Sequence, residues 1–421
     1  MRIIPPVDII RDFSIPDPQL ENSENGIPIS YFEDHSTQFM LCSFVFNRGF
    51  LNDIKTLESD FIFYMLDKAH PLMSALKFQE ALEDLGASFS VQSAAEFSEI
   101  KISCLSKYFK NVLNLILELL HGFKITNDEL HLQQKLTERQ LVMQLAKPST
   151  FVNYHARTFL FGKGFPGAAV PIPTQVYEFT PDYLESEWKK IFPNHLFCIS
   201  LAGHIPDNFS LDWLPKNEIF TPRLSLSKIV HEPFDSEFME LSIPDLKQSS
   251  IRILLRLPDF ENIQQLAQLK FTSTMLGGFF GSRLMKVIRE KEGLTYGIYS
   301  SVKQYKGAIS FEISTEVDIN RIEEALDLIS KSIREFATSV PDNDEMDEVK
   351  NYMAGRIIAG FDGAFKQSDM WITQKKLGML KEEEEIFIRT IPSITPRDVY
   401  QTASRFLEWE KMLKLVSKPA Q

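Results

Sequence analysis

The second half of the chain repeats the order of patterns found in the first half. The paired segments begin at Phe97 and Gly307, at Thr137 and Asp347, and at Thr180 and Thr395. The first pair is typical of a strand followed by an amphipathic helix, the second of a helix, and the third of a helix followed by a strand. Since the offsets agree at about 210–216 residues, the sequence predicts two similar α/β halves rather than one large domain.

A stretch with several prolines separates the two halves, over residues 206–236. We predict an N-terminal domain over 1–220, a linker over 221–236 and a C-terminal domain over 237–421. In the first half, Ala87 to Val91 and Glu99 to Leu105 alternate between apolar and polar residues, which is typical of antiparallel strands.

Composition and charge exclude several classes of protein. The net charge of −12 is unsuited to binding a phosphate backbone, so we expect no nucleic-acid partner. No charge-free apolar run approaches the length of about 18 residues that spans a membrane. Residues Met1 to Pro18 do not resemble a signal peptide, so we expect a cytoplasmic location. The three cysteines, Cys42, Cys104 and Cys198, lie in apolar runs and are expected to be reduced and buried.

The segment Gly277 to Ser301 carries the residues with the clearest chemistry. Its pattern predicts a helix capped by Ser282 and ended by Gly293, followed by a strand. Arg289 falls on the last turn of that helix, and Tyr296 comes three residues after the glycine. A guanidinium and a phenol at such a corner can donate hydrogen bonds to a peptide carbonyl. On spacing alone, a structural arrangement is favoured, in which Arg289 pairs with a carboxylate and Tyr296 packs in a half-buried strand.

This segment resembles the C-terminal signature of the pitrilysin/insulinase metallopeptidase family. The matching positions are Gly277, Gly278, Ser282, Arg283, Leu284, Ile288, Arg289, Glu290, Lys291, Gly293, Leu294 and Tyr296. The resemblance implies that Arg289 and Tyr296 contact the backbone of a peptide substrate beside a zinc ion. It also implies an α+β fold of two homologous domains, each a mainly antiparallel sheet with helices on one face, forming half of a clamshell.

The chain departs from the family at the zinc-binding helix. Family enzymes carry two histidines and a glutamate there in an H-x-x-E-H motif. The corresponding positions are Asp60 and Tyr64 in place of the histidines and Phe63 in place of the glutamate. The family's further glutamate ligand corresponds to a position near Gln144 or Leu145, and neither of these residues is a plausible zinc ligand. Asp60 and His70 are a weak candidate for a substitute site, and we expect no metal in this chain.

The resemblance therefore implies a zinc-less subunit that holds unfolded peptide for a zinc-bearing homologous partner and is not active alone. A homodimer of the isolated chain is left open. A structural or assembly protein of the same fold is the alternative, and a self-sufficient hydrolase ranks last. The acidic run from Lys381 to Glu385 is interpreted as a solvated helix end or loop.

Overall fold

The structure is a computed structural model that describes residues 13–420, apart from residue 25, residue 163, residues 207–236 and residues 306–307. The predicted linker over 221–236 lies outside the described residues. The boundaries proposed for the two domains therefore stay predictions.

A six-stranded sheet forms from the first half of the chain. Its strands are β1 (Gln19–Asn22), β2 (Pro28–Glu33), β3 (Phe39–Phe46), β4 (Ser88–Ser93), β5 (Ser98–Leu105) and β6 (Leu196–Gly203). They lie in the order β1-β2-β6-β3-β5-β4. Among these strands β2 and β6 are parallel, and the other neighbours are antiparallel.

A five-stranded sheet forms from the second half. Its strands are β7 (Phe238–Ile243), β8 (Gln248–Leu257), β9 (Ile298–Tyr305), β10 (Ala308–Asp318) and β11 (Leu413–Pro419). They lie in the order β7-β11-β8-β10-β9. Here β7 and β11 are parallel, and the other described neighbours are antiparallel.

The two sheets share one topology. If β1 is set aside, strands β2 to β6 occupy the same places in their sheet as β7 to β11 occupy in theirs. In both sheets the parallel pair joins the first of these strands to the last. The repeat predicted from the sequence is confirmed, and so is the α+β class with mainly antiparallel sheets.

Helices follow the strands in a matching order. The first half contains α1 (Glu58–Tyr64), α2 (Ala75–Asp84), α3 (Phe109–Gly122), α4 (Asn127–Leu145), α5 (Pro148–Phe161) and α6 (Pro181–Ile191). The second half contains α7 (Ile263–Ser273), α8 (Ile322–Thr338), α9 (Asn343–Gly360), α10 (Ala364–Leu377), α11 (Lys381–Ser393) and α12 (Pro396–Phe406). Several begin at a side chain that accepts a backbone N–H of the first turn, namely Ser74, Thr126, Thr180, Asn262, Asp342 and Thr395.

Each half has its own hydrophobic core. Alternate residues of a strand point to opposite faces of the sheet, so one face of each sheet contributes to that core. Met40, Cys42 and Phe44 of β3 face the core of the first half, and Ile251 and Ile253 of β8 face the core of the second. All three cysteines are buried and free, as the sequence predicts.

The opposite face of each sheet is covered in part by a helix from the other half, and we call it the outer face. Helix α5 packs on the outer face of the second sheet through Val152 and Ala156, which contact Leu254 and Leu413. Helix α10 packs on the outer face of the first sheet through Trp371 and neighbouring side chains. The two halves therefore exchange one helix each.

Polar contacts fix α10 on the first sheet. Lys101 of β5 pairs with Asp369 at 2.5 Å, and Lys376 pairs with Glu99 of β5 at 2.8 Å. The hydroxyl of Ser368 lies 2.7 Å from that of Ser200, which lies 2.7 Å from that of Ser30. This chain of three buried hydroxyls crosses from one half to the other.

Arginines of β8 fix α5 on the second sheet in a similar way. The Nε of Arg256 donates to the carbonyl of Leu160 at 3.2 Å. Arg252 donates to the side-chain oxygen of Asn153. The sequence pattern does not predict α5, because a proline at position 148 is typical of the end of the preceding helix. Pro148 does follow the end of α4, and it also occupies the first turn of α5, where proline is favoured.

The run Lys381 to Glu385 is a helix end, as one of the two interpretations predicts, but it is not fully solvated. This run forms the first turn of α11, where the carboxylate of Glu383 accepts the N–H of Leu380 at 2.8 Å. Glu384 is buried and accepts a hydrogen bond from Gln374. Acidic side chains are favoured in a first turn because the helix dipole is positive there.

Candidate functional site

Helix α1 carries the three positions that correspond to the zinc motif. Phe63, in place of the glutamate, is 1% exposed and lies 5.5 Å from the ring of Phe46 and 5.7 Å from that of Trp188. It is therefore a core residue that fills the space between β3 and α6. A carboxylate there would be buried among aromatic rings without a partner.

The two histidine positions have different surroundings. Tyr64 is 40% exposed, and its hydroxyl donates to Gln133 of α4 at 3.4 Å. Asp60 is half-buried, and burial raises the pKa of its carboxyl, although Arg157 and Ser93 act in the opposite direction. Neither side chain is arranged with a second histidine or thiolate as a zinc ligand.

These positions still line a cleft. It has a volume of about 330 Å³ and lies between α1 and the edge strand β4. Asp60 and Tyr64 of α1 and Asp67, in the turn after it, contribute polar groups, and Phe89 and Val91 contribute apolar groups from the strand. The cleft is large enough to receive a side chain.

The residues present do not fit a zinc ion. An aspartate, a phenylalanine and a tyrosine replace the nitrogen ligands and the general base that such a site requires. The later ligand position, Gln144, lies at the end of α4, whereas α4 meets α1 through Gln133. Over the described ranges, no three His, Cys, Asp or Glu side chains converge as a metal site. His70 contacts Glu118 and the ring of Phe78.

The second set of predicted residues lies between α7 and β9. Gly277 belongs to the turn after α7, and a Cβ there would lie 2.8 Å from the backbone nitrogen of Ser300, so the close approach requires glycine. A wide helical segment, Met285–Lys291, follows and carries Arg289. Gly293 ends it with φ of +61°, as the sequence predicts.

The predicted capping role of Ser282 is wrong. Its hydroxyl is buried and has no hydrogen-bond partner among the described residues, although its carbonyl accepts the N–H of Lys286 at 2.9 Å. Its neighbour Arg283 fixes the segment instead. The guanidinium makes two 2.7 Å hydrogen bonds to the carboxylate of Glu345 on α9 and lies 4.6 Å from the ring of Phe336.

Arg289 is half-buried, and its guanidinium lies over the ring of Phe280 at 4.4 Å. Within the part of the chain that the structure describes, no carboxylate forms an ion pair with Arg289. The contact with Phe280 was not predicted from the sequence, where the two phenylalanines after Gly278 give no sign of which one faces the arginine. Phe279 stacks instead on Tyr352 of α9, at 5.1 Å.

Tyr296 is 92% exposed, in a short turn before β9. The turn is held by Thr295, whose hydroxyl donates to the carbonyl of Gly297 at 3.0 Å and lies 3.0 Å from the hydroxyl of Thr315. The expected packing of Tyr296 in a half-buried strand is therefore absent. Arg289 and Tyr296 lie on one connection, but no contact joins them in the described part of the chain. A peptide bound at both residues would therefore lie between the two side chains.

Similarity to known proteins agrees with the fold. Residues 179–353 match the sequence model of the family described as peptidase M16 inactive domain. The chain is 25% identical to the non-peptidase homolog YmxG of Helicobacter pylori, over 80% of this chain and 78% of that protein. Residues 179–353 therefore belong to the peptidase M16 family. This is the pitrilysin/insulinase family, so the recognition from Gly277 to Ser301 is confirmed.

Two solved structures have the same fold. The peptidase M16 inactive domain of Pseudomonas fluorescens superposes with a TM-score of 0.83 at 20% identity, over 96% of this chain and 99% of that one. A protease from Helicobacter pylori superposes with a TM-score of 0.82 at 12% identity, over 96% and 100%. In the described ranges no helix of this M16 chain is long and apolar enough to cross a membrane.

Proposed function

We propose that this M16 chain is a zinc-less subunit that binds unfolded peptide and presents it to a zinc-bearing homologous partner. The exposure of Tyr296 carries the proposal. A tyrosine that is 92% exposed, on a turn fixed by hydrogen bonds, contributes little to the core and leaves its hydroxyl available to a ligand.

Arg289 supports the same reading. Its guanidinium has an aromatic neighbour rather than a carboxylate, so its N–H groups are available to a peptide carbonyl. Donors of this kind position a substrate and stabilise the negative charge that develops on its carbonyl oxygen. Hydrolysis itself needs an activated water molecule, which the replaced residues on α1 do not provide.

The sheets offer a place for an extended peptide. Strands β4 and β9 are edge strands, and an edge can accept a further strand through main-chain hydrogen bonds. The cleft beside α1 opens next to β4, so a peptide paired there would place a side chain against Phe89 and Val91. The two edges therefore give the chain two places at which an extended peptide can pair.

A structural or assembly role is the second candidate, and one observation favours it. Helix α4 exposes a group of large apolar side chains, namely Leu132, Leu136, Val142 and Met143. Apolar groups on one exposed helix are typical of a contact surface. A partner bound there without any effect of Tyr296 would favour this candidate over the first.

The proposal is tested by measuring cleavage of a quenched unstructured peptide. The chain is assayed alone, and then mixed with a zinc-bearing M16 relative, with and without a chelator. Activity that appears only in the mixture and is abolished by the chelator is the expected result. An inactive mixture that still forms a stable complex would favour the assembly role. The cytoplasmic location and the homodimer of the isolated chain stay predictions.

A further inference from the structure

Tyr296 lines a second cleft, on the outer face of the second sheet beyond the start of α5. Its volume is about 370 Å³. This lies at the lower end of the range of small-ligand pockets, about 300–1,000 Å³. We call it the Arg252 cleft, after the arginine that contributes its permanent positive charge.

Hydroxyl groups dominate the walls of the Arg252 cleft. They belong to Ser149, Ser250, Thr295, Tyr296, Tyr299 and to two further residues of β10. No aliphatic side chain is among its described lining residues. Burial of an apolar side chain would therefore gain little here, whereas a polar group would find several donors.

Arg252 leaves one donor unused. Its Nη1 lies 3.5 Å from the carboxylate of Glu312, and its Nη2 donates to Asn153 of α5. Its Nε is buried and has no hydrogen-bond partner among the described residues. A buried donor of a charged group without a partner is costly, and an oxygen atom brought by a ligand would relieve that cost.

The charges around Arg252 do not cancel. Lys303 of β9 pairs with the same carboxylate of Glu312, at 2.6 Å, so two cations share one anion. Among the described lining residues the anion is Glu316, which is exposed, so water screens its charge more strongly. The group of Arg252, Glu312 and Lys303 therefore has a net charge of one positive unit, and Arg252 is its member on the lining of the cleft.

We propose that the Arg252 cleft binds a carboxylate of the peptide whose backbone reaches Tyr296. The carboxylate is that of an Asp or Glu side chain or that of the peptide C-terminus, and Arg252 is the residue that recognises it. This inference rests on the proposed function, because the cleft and the peptide site share Tyr296.

The net charge of the chain and the Arg252 cleft predict opposite effects of a carboxylate on peptide affinity. A protein with a charge of −12 repels acidic peptides at long range. Overall charge therefore predicts weaker binding of a peptide that carries a carboxylate. The Arg252 cleft predicts tighter binding of the same peptide, so the sign of the difference separates the two.

The test uses three fluorescein-labelled unstructured peptides of one length, titrated with the full chain by fluorescence anisotropy at a fixed salt concentration. The first carries Glu and a C-terminal amide, the second carries Gln and an amide, and the third carries Gln and a free C-terminus. We expect the first or the third to bind about tenfold more tightly than the second. Which of the two does so identifies the source of the carboxylate.

Two variants then assign the preference to its residue. Arg252→Gln is expected to bind all three peptides equally. Arg256→Gln is the matched control, because Arg256 is on the same strand and also bonds α5 but does not line the cleft. It should keep the preference of the wild type. If Arg252→Gln does not fold, Glu316→Gln provides a second test, since removal of this anion from the lining should increase the preference.

Equal binding of all three peptides to the wild type would overturn the inference and leave the proposed function standing. A preference that survives Arg252→Gln, or that Glu316→Gln does not increase, would also overturn it. Absence of any binding at millimolar protein would overturn both the inference and the proposed peptide-binding role.

Discussion

The guanidinium carbon of Arg289 lies 4.4 Å from the centre of the Phe280 ring. Phe280 is 60% exposed, so it contributes to the surface beside Arg289 rather than to the core. A cation over an aromatic face at an exposed site is stabilised by about 0.5–1 kcal/mol. The ring therefore orients the arginine before any peptide arrives.

Replacement of Phe280 by leucine should weaken peptide binding without unfolding the protein. Loss of the ring removes the orienting contact, so we expect affinity for an unstructured peptide to fall about two- to fivefold. Fluorescence anisotropy measures the affinity, and thermal unfolding checks the fold. Phe280→Trp, which keeps an aromatic face, should bind as the wild type does. Equal affinity of Phe280→Leu and wild type would show that Arg289 does not depend on this ring.

The zinc helix offers a test of how far the site has changed. Phe63 is packed between Phe46 and Trp188, so Phe63→Glu would bury an unpaired carboxylate and should prevent stable folding. Tyr64→His changes a residue that is 40% exposed and should cost less than about 1 kcal/mol. Urea unfolding followed by circular dichroism compares the two variants. A stable Phe63→Glu protein would mean that solvent reaches the side chain at position 63 of α1.

Much of the fold could be predicted from the sequence. The sequence repeat predicted two similar halves. Thr180, which begins α6, and Gly293, which ends a helical segment, are residue types that mark helix boundaries in a sequence. The exchange of α5 and α10 could not be predicted, because local patterns say nothing about which half a helix packs on. Pro148 shows the difficulty, since one residue both follows α4 and begins α5.

The chain of buried hydroxyls between α10 and the first sheet should contribute to the stability of the protein. Ser200 is the middle of the hydroxyl chain between Ser30 and Ser368, so Ser200→Ala leaves both neighbours without that partner. We expect a loss of about 1–3 kcal/mol in the free energy of unfolding. Ser30→Ala, at the end of the chain, should cost less. Urea titrations measure both, and equal costs would argue against a continuous chain.

A buried acid beside α1 predicts a dependence of stability on pH. Burial raises the pKa of Asp53 to about 7, although hydrogen bonds from Ser59 and the charge of Arg48 act in the opposite direction. The folded state therefore holds a proton that the unfolded state has released above about pH 4. Stability from this group is complete below about pH 4 and is lost as the pH rises towards 7, by up to about 1.4 kcal/mol per pH unit.

Asp53→Asn should flatten that slope, because an amide does not titrate. The free energy of unfolding is measured by urea titration at several values between pH 4 and pH 8. Asp84→Asn, at an exposed position of α2, is the matched control and should keep the slope of the wild type. A slope unchanged by Asp53→Asn would assign the dependence to other groups.

The candidate site was predicted in part. Arg289 and Tyr296 came from a resemblance that the M16 match confirms at the level of the family. Their surroundings could not be predicted, because Phe280 and Arg252 approach them through the fold and not through spacing in the sequence. Arg252 lies in an ordinary strand pattern, and only the sheet register brings it opposite Ser314 and close to Tyr296.

The role of Arg289 and Tyr296 in a mixed enzyme is the central claim, and one measurement tests it directly. We would determine kcat/KM for a quenched unstructured peptide with the zinc-bearing relative mixed with wild-type chain or with the Arg289→Ala, Tyr296→Phe double variant. If these donors support the transition state, the double variant should lower kcat/KM about a hundredfold while the complex still forms. A double variant that supports the full wild-type rate would contradict the account.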